Sequence, residues 1–306
     1  QAGRTGGRHY VPASVYAQII GGEVSGEAID AEKAAKRKRE REEKERAARM
    51  RLRQLAGRVW HMARSARADS DRAALYPHAA GYLAARLGGD VPVVGSIRSI
   101  AALEYFEESA RGEMVRVGEF PALLAAATDA DGKICGIHRI YLRPDGRGKL
   151  EGREAKKWLG DLCPGAAVRI GTPEQFGMAE RDGKMVDGAG PRELIVCEGV
   201  ETAYACWMAT GVASMALIST AGMMNIRLPA RWTDVQLGRI ERIVFAADHD
   251  RFDVGNEKRP GTRSRAGISA ARLGAGRIRQ EFGERIAVEI VVPTHGHGMA
   301  RWREWL

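Results

Sequence analysis

Two short apolar runs, each ending in acid, constrain this chain most. Residues 193–202 read ELIVCEGVET and residues 242–250 read RIVFAADHD. Leu194, Ile195 and Val196 form the first run; Ile243, Val244, Phe245, Ala246 and Ala247 form the second. A continuous apolar run bounded by polar residues predicts a strand buried on both faces, as in a parallel sheet. Glu198 falls just past the first strand, and Asp248 and Asp250 just past the second. Ligands of open α/β sheets bind outside the carboxyl ends of the strands. Three carboxylates are therefore expected at one sheet edge, where they repel unless a cation neutralises them. Hard Mg²⁺ or Mn²⁺ prefers such oxygen ligands. The alternative is that these acids are helix caps or loop acids. Glu201, one turn on, reads as first-turn helix charge, and Asp253 is a further candidate.

The last third alternates strand and helix: strand 193–196, helix 200–209, strand 214–219, a connection through 225–231, strand 242–247, a long loop, helix 265–282 and strand 286–292. This alternation predicts an α/β domain, a parallel sheet with covering helices. Upstream the pattern differs. Residues 1–26 are Gly-rich and read as an arm. Residues 31–67, dense in Ala, Glu, Lys and Arg, predict a helix. Its first half has no apolar face. Its second half gains Met50, Leu52, Leu55, Val59, Trp60 and Met62 and is expected to dock. The charged half is either solvated and held by i,i+4 pairs or in contact with nucleic acid. Residues 69–88 hold a second helical stretch, and strands are expected from Phe120. Runs 121–127 and 133–142 flank Asp129-Ala130-Asp131-Gly132, a hairpin signal. Polar, Gly-rich residues 172–190 read as a loop. Three segments follow: a basic arm and helix (1–68), a smaller α+β subdomain (69–187) and the α/β domain (188–306).

The chain of 306 residues carries 48 Lys and Arg against 39 Asp and Glu, a net charge of +9. That favours a polyanionic partner, nucleic acid first, although an acidic protein or a membrane surface also suits it. No apolar stretch is long enough to cross a bilayer. Cys135, Cys163, Cys197 and Cys206 form no C-x-x-C pair, which excludes a zinc ribbon and predicts reduced thiols in a cytoplasmic protein. No GxxxxGK[ST] phosphate loop occurs, so no helicase motor is encoded in these residues.

Residues 197–203 (CEGVETA) resemble the EGxETA form of Toprim primases of phage and plasmid type, and 217–222 (LISTAG) resemble the strand and turn that follow. Pro121-Ala122-Leu123, 128–132 (TDADG), 136–142 (GIHRIYL) and 156–160 (KKWLG) resemble the segment preceding Toprim in those proteins. The resemblance covers roughly the last two thirds of the chain. It implies a C-terminal Toprim domain, a parallel sheet flanked by helices, behind a smaller primase subdomain and a basic N-terminal helix. It implies a DNA primase: metal-dependent, template-directed primer synthesis by nucleotidyl transfer. Glu198, Asp248 and Asp250 would be catalytic and metal-holding, with Mg²⁺ or Mn²⁺. Arg139, Lys156, Lys157, Arg263 and Arg265 would contact nucleotide or DNA. The implied partners are single-stranded DNA, nucleoside triphosphates, and a replicative helicase or other domains of a longer protein, with no membrane.

Three features depart from the family pattern. The loop 251–265 is longer than expected. The tail 299–306 matches at Trp302 but carries Arg301 where an acid is expected, and His295 and His297 read as loop residues. The chain opens at Gln1 without an initiator Met and without a zinc-binding domain, as expected of an excised piece or of a family member that recognises templates differently. Two other functions stay open. A Toprim nuclease or topoisomerase-like enzyme breaks strands; a topoisomerase needs a nucleophilic Tyr, and Tyr105, Tyr141 and Tyr204 lack a persuasive context. A non-catalytic nucleic-acid-binding module would serve replication or transfer.

Overall fold

The structure is a computed structural model in which residues 31–65, 75–161, 163–181, 184–187, 190–234, 236, 239–248 and 266–292 are described. The chain divides into two compact units, residues 1–49 and 50–306. Helix α1 spans Ala31–Met62. The described side chains of its charged part, residues 37–49, are exposed. Arg41 pairs with Glu45 at 2.8 Å and Lys38 with Glu42 at 4.0 Å, the one-turn spacing that supports a helix lacking an apolar face.

In the second unit the docking stripe of α1 differs from the sequence expectation. Met50, Leu52, Leu55 and Met62 are exposed, whereas Ala56, Trp60 and the following Ala63 are buried. These three recur at helical spacing, and the small alanines bring the backbone close to the sheet. Strand β1 (Arg64–Ser65) follows, then helix α2 (Pro77–Leu87), which Gly88 closes at φ 78°.

Ten of the described strands make one mixed sheet. The first half is antiparallel: β2 (Ile97–Glu108), β3 (Met114–Thr128), β4 (Ile134–Tyr141), β5 (Lys156–Gly160) and β6 (Ala167–Ile170). The long strands therefore begin at Ile97, well before Phe120. The long β2–β3 ribbon carries charged side chains such as Glu104, Arg116 and Glu119, so it shows no clean apolar alternation. The expected loop at 172–190 instead holds a 3₁₀ turn (Glu174–Phe176) and a hairpin of β7 (Met178–Arg181) and β8 (Lys184–Asp187). No apolar run in the sequence announces that hairpin.

The second half follows the expected alternation. Strand β9 (Glu193–Cys197) leads to α3 (Val200–Thr210), β10 (Ser214–Ala216), the short helices α4 (Thr220–Met224) and α5 (Ala230–Thr233), β11 (Arg242–Ala246), α6 (Ala266–Phe282) and β12 (Ala287–Val291). Strands β10, β9, β11 and β12 are mutually parallel in that order. β6 joins β10 antiparallel, so the sheet continues across residue 188. Successive β9 residues serve two cores. Ile195 and Cys197 meet α2 and α3 through Tyr82, Val200 and Tyr204; Leu194 and Val196 meet α6 and Trp232. A third cluster on the α6 side joins Trp60 of α1 to Tyr105, Leu124 and Tyr141.

Candidate active site

The parallel strands end level with one another, since Cys197 of β9 is in register with Ala246 of β11 and Ala216 of β10. Glu198 is the first residue past β9, and Asp248 the second past β11, on strands that lie about 4.8 Å apart. The apolar runs place them there: the strand stops where the chain turns polar. Gly199 opens α3 as an extended N-cap residue, and Thr202 in its first turn donates from Oγ1 to Asp248 Oδ1 at 3.3 Å. Each acid is half-buried.

The turn after β10 carries strain. Ile218 has φ 69°, a left-handed conformation in which a β-branched residue is a true outlier. Its N–H donates to the Glu198 carbonyl at 2.9 Å, so the strained residue fixes the backbone that bears Glu198. Gly222 lets α4 fold back against this turn: a Cβ there would stand 2.1 Å from the Leu217 carbonyl oxygen.

Glu201 lies in the first turn of α3, as expected, and is buried there. Its carboxylate accepts from Lys149 at 2.7 Å, from Lys156 at 3.1 Å and from the Tyr82 hydroxyl at 2.9 Å. Burial acts to raise its pKa, but Lys156 and Lys149 outweigh burial and hold the carboxyl well below the usual range. Burial lowers Lys149 against the pull of Glu201. Burial, then Lys156, pushes the neighbouring His138 down to about 4, so it is neutral at pH 7. Lys149 arrives on the turn after Leu142, whose Gly146 (φ 68°) passes so close to α2 that a Cβ would sit 2.8 Å from His78 Cα. A cavity of about 400 Å³ beside Tyr82 is lined by Arg86, Arg147 and Lys149.

The predicted nucleotide-binding residues separate. Lys156 faces Glu201 and the α3 side of the sheet. Lys157, its neighbour on a strand, faces the other side, where it donates to the Phe106 carbonyl and lies 4.2 Å from the Tyr105 ring centroid. Arg139, in register with Lys157, donates to the Trp158 carbonyl at 3.0 Å and to the Tyr141 hydroxyl at 3.3 Å. The structure thus brings Thr202 to Asp248 at the strand ends that carry Glu198, and gathers Lys149 and Lys156 on Glu201. Asp250, Asp253, Arg263, Arg265, the loop 251–265, the two histidines and the tail lie outside the described residues. Sequence reasoning missed Lys149, Tyr82 and His138.

Among the described residues no three His, Cys, Asp or Glu side chains gather as a metal cluster. The two carboxylates present are hard oxygen donors, the type and number that Mg²⁺ takes beside substrate phosphates. Tyr105, Tyr141 and Tyr204 are fully buried and donate to the carbonyls of Glu154, Glu104 and Pro92, so none reaches a phosphodiester. The four cysteines are free thiols. No described helix is long and apolar enough to cross a membrane.

A family model described as a domain of unknown function (DUF7146) matches residues 50–170. No curated protein sequence matches the chain. Among solved structures, the chain is similar to the RNA polymerase domain of Mycobacterium tuberculosis primase DnaG in complex with double-stranded DNA. Identity is 16%, coverage 83% of this chain and 76% of that one, and the TM-score 0.40. It is similar to the Escherichia coli primase catalytic core at 12% identity, over 64% of this chain and 51% of that one, with TM-score 0.37. A DNA primase domain from Pseudomonas aeruginosa gives 13%, 64%, 50% and 0.36 in the same order. The chain spans about half the length of these last two. At such identities and scores each is a similarity, and what those proteins bind belongs to them.

Proposed function

We propose that this chain is the nucleotidyl-transferring core of a Toprim-type DNA primase, synthesising primers on single-stranded DNA from nucleoside triphosphates. One observation carries the reading: Glu198 and Asp248 stand at the carboxyl ends of adjacent, in-register parallel strands, on the motif that also bears Glu201. Glu198 and Asp248, with Asp250, would hold Mg²⁺ or Mn²⁺, which when bound neutralises charge on phosphoryl oxygens. Thr202 orients Asp248 by donating to one carboxylate oxygen. Lys149 and Lys156, both paired with Glu201, give two positive charges against its single negative charge, and the excess positive charge would attract phosphate. Neutral His138 adds no charge and keeps that balance through neutral pH. The chain's net charge of +9 favours a polyanionic template. A cytoplasmic location and helicase or other replication partners belong to the same reading.

Incorporation of labelled nucleotides on primer-free single-stranded DNA tests it. Wild-type protein is expected to make short products. Asp248→Asn and Glu198→Gln are expected to bind the template normally and lose synthesis by a factor of about 10² or more, several kcal/mol of transition-state stabilisation. Near-normal synthesis by both variants contradicts the assignment.

A further inference from the structure

On the sheet face opposite Glu201, a second cavity of about 250 Å³ lies over β3 and β6. Trp60 of α1 and Phe176 of the 3₁₀ turn give it two buried aromatic rings, and Arg169 of β6 and Thr128 of β3 give it polar groups. Arg169 is only 8% exposed. One of its nitrogens donates to the Asp129 carbonyl at 2.8 Å, and its guanidinium lies 5.4 Å from the Trp232 ring centroid. Among the described residues its Nε has no hydrogen-bond partner, and neither has the buried Oγ1 of Thr128.

No described carboxylate forms an ion pair with this cation. The carboxylate whose charge reaches it, Asp129, is already engaged. Asp129 accepts from the N–H groups of Asp131 at 3.1 Å and Lys133 at 2.9 Å, and lies 3.7 Å from Arg53. Burial, and then the like charge of Arg231, push the Arg169 guanidinium down to about 10, which still leaves it charged at neutral pH. A buried charge without a counter-charge is costly, and a buried donor without an acceptor adds to that cost. Neither Arg169 Nε nor Thr128 Oγ1 is exposed in the cavity, so an anion entering it meets both deficits once the Arg169 and Thr128 side chains turn toward it. The rings beside it ask for a flat apolar body on the same molecule. The volume lies below the roughly 300–1,000 Å³ of drug-sized sites, which limits the guest to about one ring system with its anionic group.

We infer that this cavity is a binding site for a small planar aromatic anion, its anionic group on Arg169 and Thr128 and its ring against Trp60 and Phe176. Two sources share that chemistry, a nucleoside monophosphate and a simple aromatic carboxylate. The site stands apart from Glu198 and Asp248 and does not depend on their role.

The test uses the full chain labelled with 5-fluorotryptophan. Its six tryptophans are read by fluorine NMR, with the Trp60 signal assigned by its loss in Trp60→Phe. Adenosine monophosphate, benzoate and inorganic phosphate are titrated separately, without divalent metal or DNA. A saturable shift of the Trp60 signal by adenosine monophosphate or by benzoate is expected, and which of the two acts identifies the source. Affinity should fall by roughly tenfold or more in Arg169→Met and by several-fold in Thr128→Val, and stay unchanged in Asp248→Asn. Thr128→Val keeps the shape and removes only the unpartnered hydroxyl, so it decides the matter if Arg169→Met does not fold. The inference is overturned if neither ring compound moves Trp60 at millimolar concentration. It is also overturned if phosphate alone does so equally well, or if Thr128→Val binds like wild type. Loss of binding in Asp248→Asn would likewise overturn it, by assigning the signal to the other site.

Discussion

Replacing Glu201 with Gln probes the strut between the carboxylate edge and the basic flank. The residue is 4% exposed and accepts three hydrogen bonds, at 2.7, 3.1 and 2.9 Å. Removing one partner from a buried ion pair costs about 3–5 kcal/mol. Here the lysine side chains are 30% and 39% exposed, so water screens them, and Gln keeps the volume and one acceptor. Both effects reduce the expected loss to about 2–3 kcal/mol at pH 7. At roughly 2–4 °C per kcal/mol, the melting temperature should fall by about 4–12 °C. The pH dependence has a definite sign. The folded carboxyl is held well below its unfolded value of about 4.3, so its contribution is complete above that value and declines as pH falls toward the folded pKa. Urea unfolding of wild type and variant should show the full gap at pH 7. The gap should narrow by about 1.4 kcal/mol per pH unit below about pH 4. A gap under about 0.5 kcal/mol at pH 7, the size of an ordinary surface change, would refute the strut. A gap constant down to pH 3 would refute its electrostatic origin.

Three further outcomes follow from the same geometry. Lys156→Ala should weaken nucleotide or single-stranded DNA binding in a filter assay. Lys157→Ala should leave binding intact and cost about 1 kcal/mol of stability, because its contacts are the Tyr105 ring and a carbonyl on the other face. Equal binding losses in the two variants would contradict this separation. Gly222→Ala should cost about 1–3 kcal/mol through the 2.1 Å approach to the Leu217 carbonyl, and an unchanged melting temperature would show that the turn is slack. Removing residues 1–45 should flatten the salt dependence of single-stranded DNA binding, by about 0.7 in log–log slope per lost phosphate contact; an unchanged slope would make the charged half of α1 a solvated helix.

The parallel half of the sheet was legible because burial on both faces forces an apolar run, and Leu194–Val196 and Ile243–Ala247 are such runs. The carboxylate edge was legible for the same reason, since each run ends at its acid. The β2–β3 ribbon was not, because a strand with exposed charged residues such as Glu104 and Arg116 has no pattern that a loop lacks. Lys156 and Lys157 were indistinguishable as a dipeptide. Only the knowledge that 156–160 is a strand, with side chains alternating between faces, separates them. Glu201 was legible as a first-turn charge, but its partners Tyr82 and Lys149 were not, because they lie 119 and 52 residues away, at separations that no local pattern encodes.

The central claim is that Glu198 and Asp248 together hold a divalent ion. Anomalous scattering from crystals grown with Mn²⁺ and a nucleoside triphosphate measures this directly. The account predicts a manganese peak bonded to an oxygen of Glu198 and an oxygen of Asp248, with triphosphate oxygens completing the sphere on the side of Lys149 and Lys156. A peak at any other carboxylate pair, or triphosphate bound with no manganese at this edge, would contradict it.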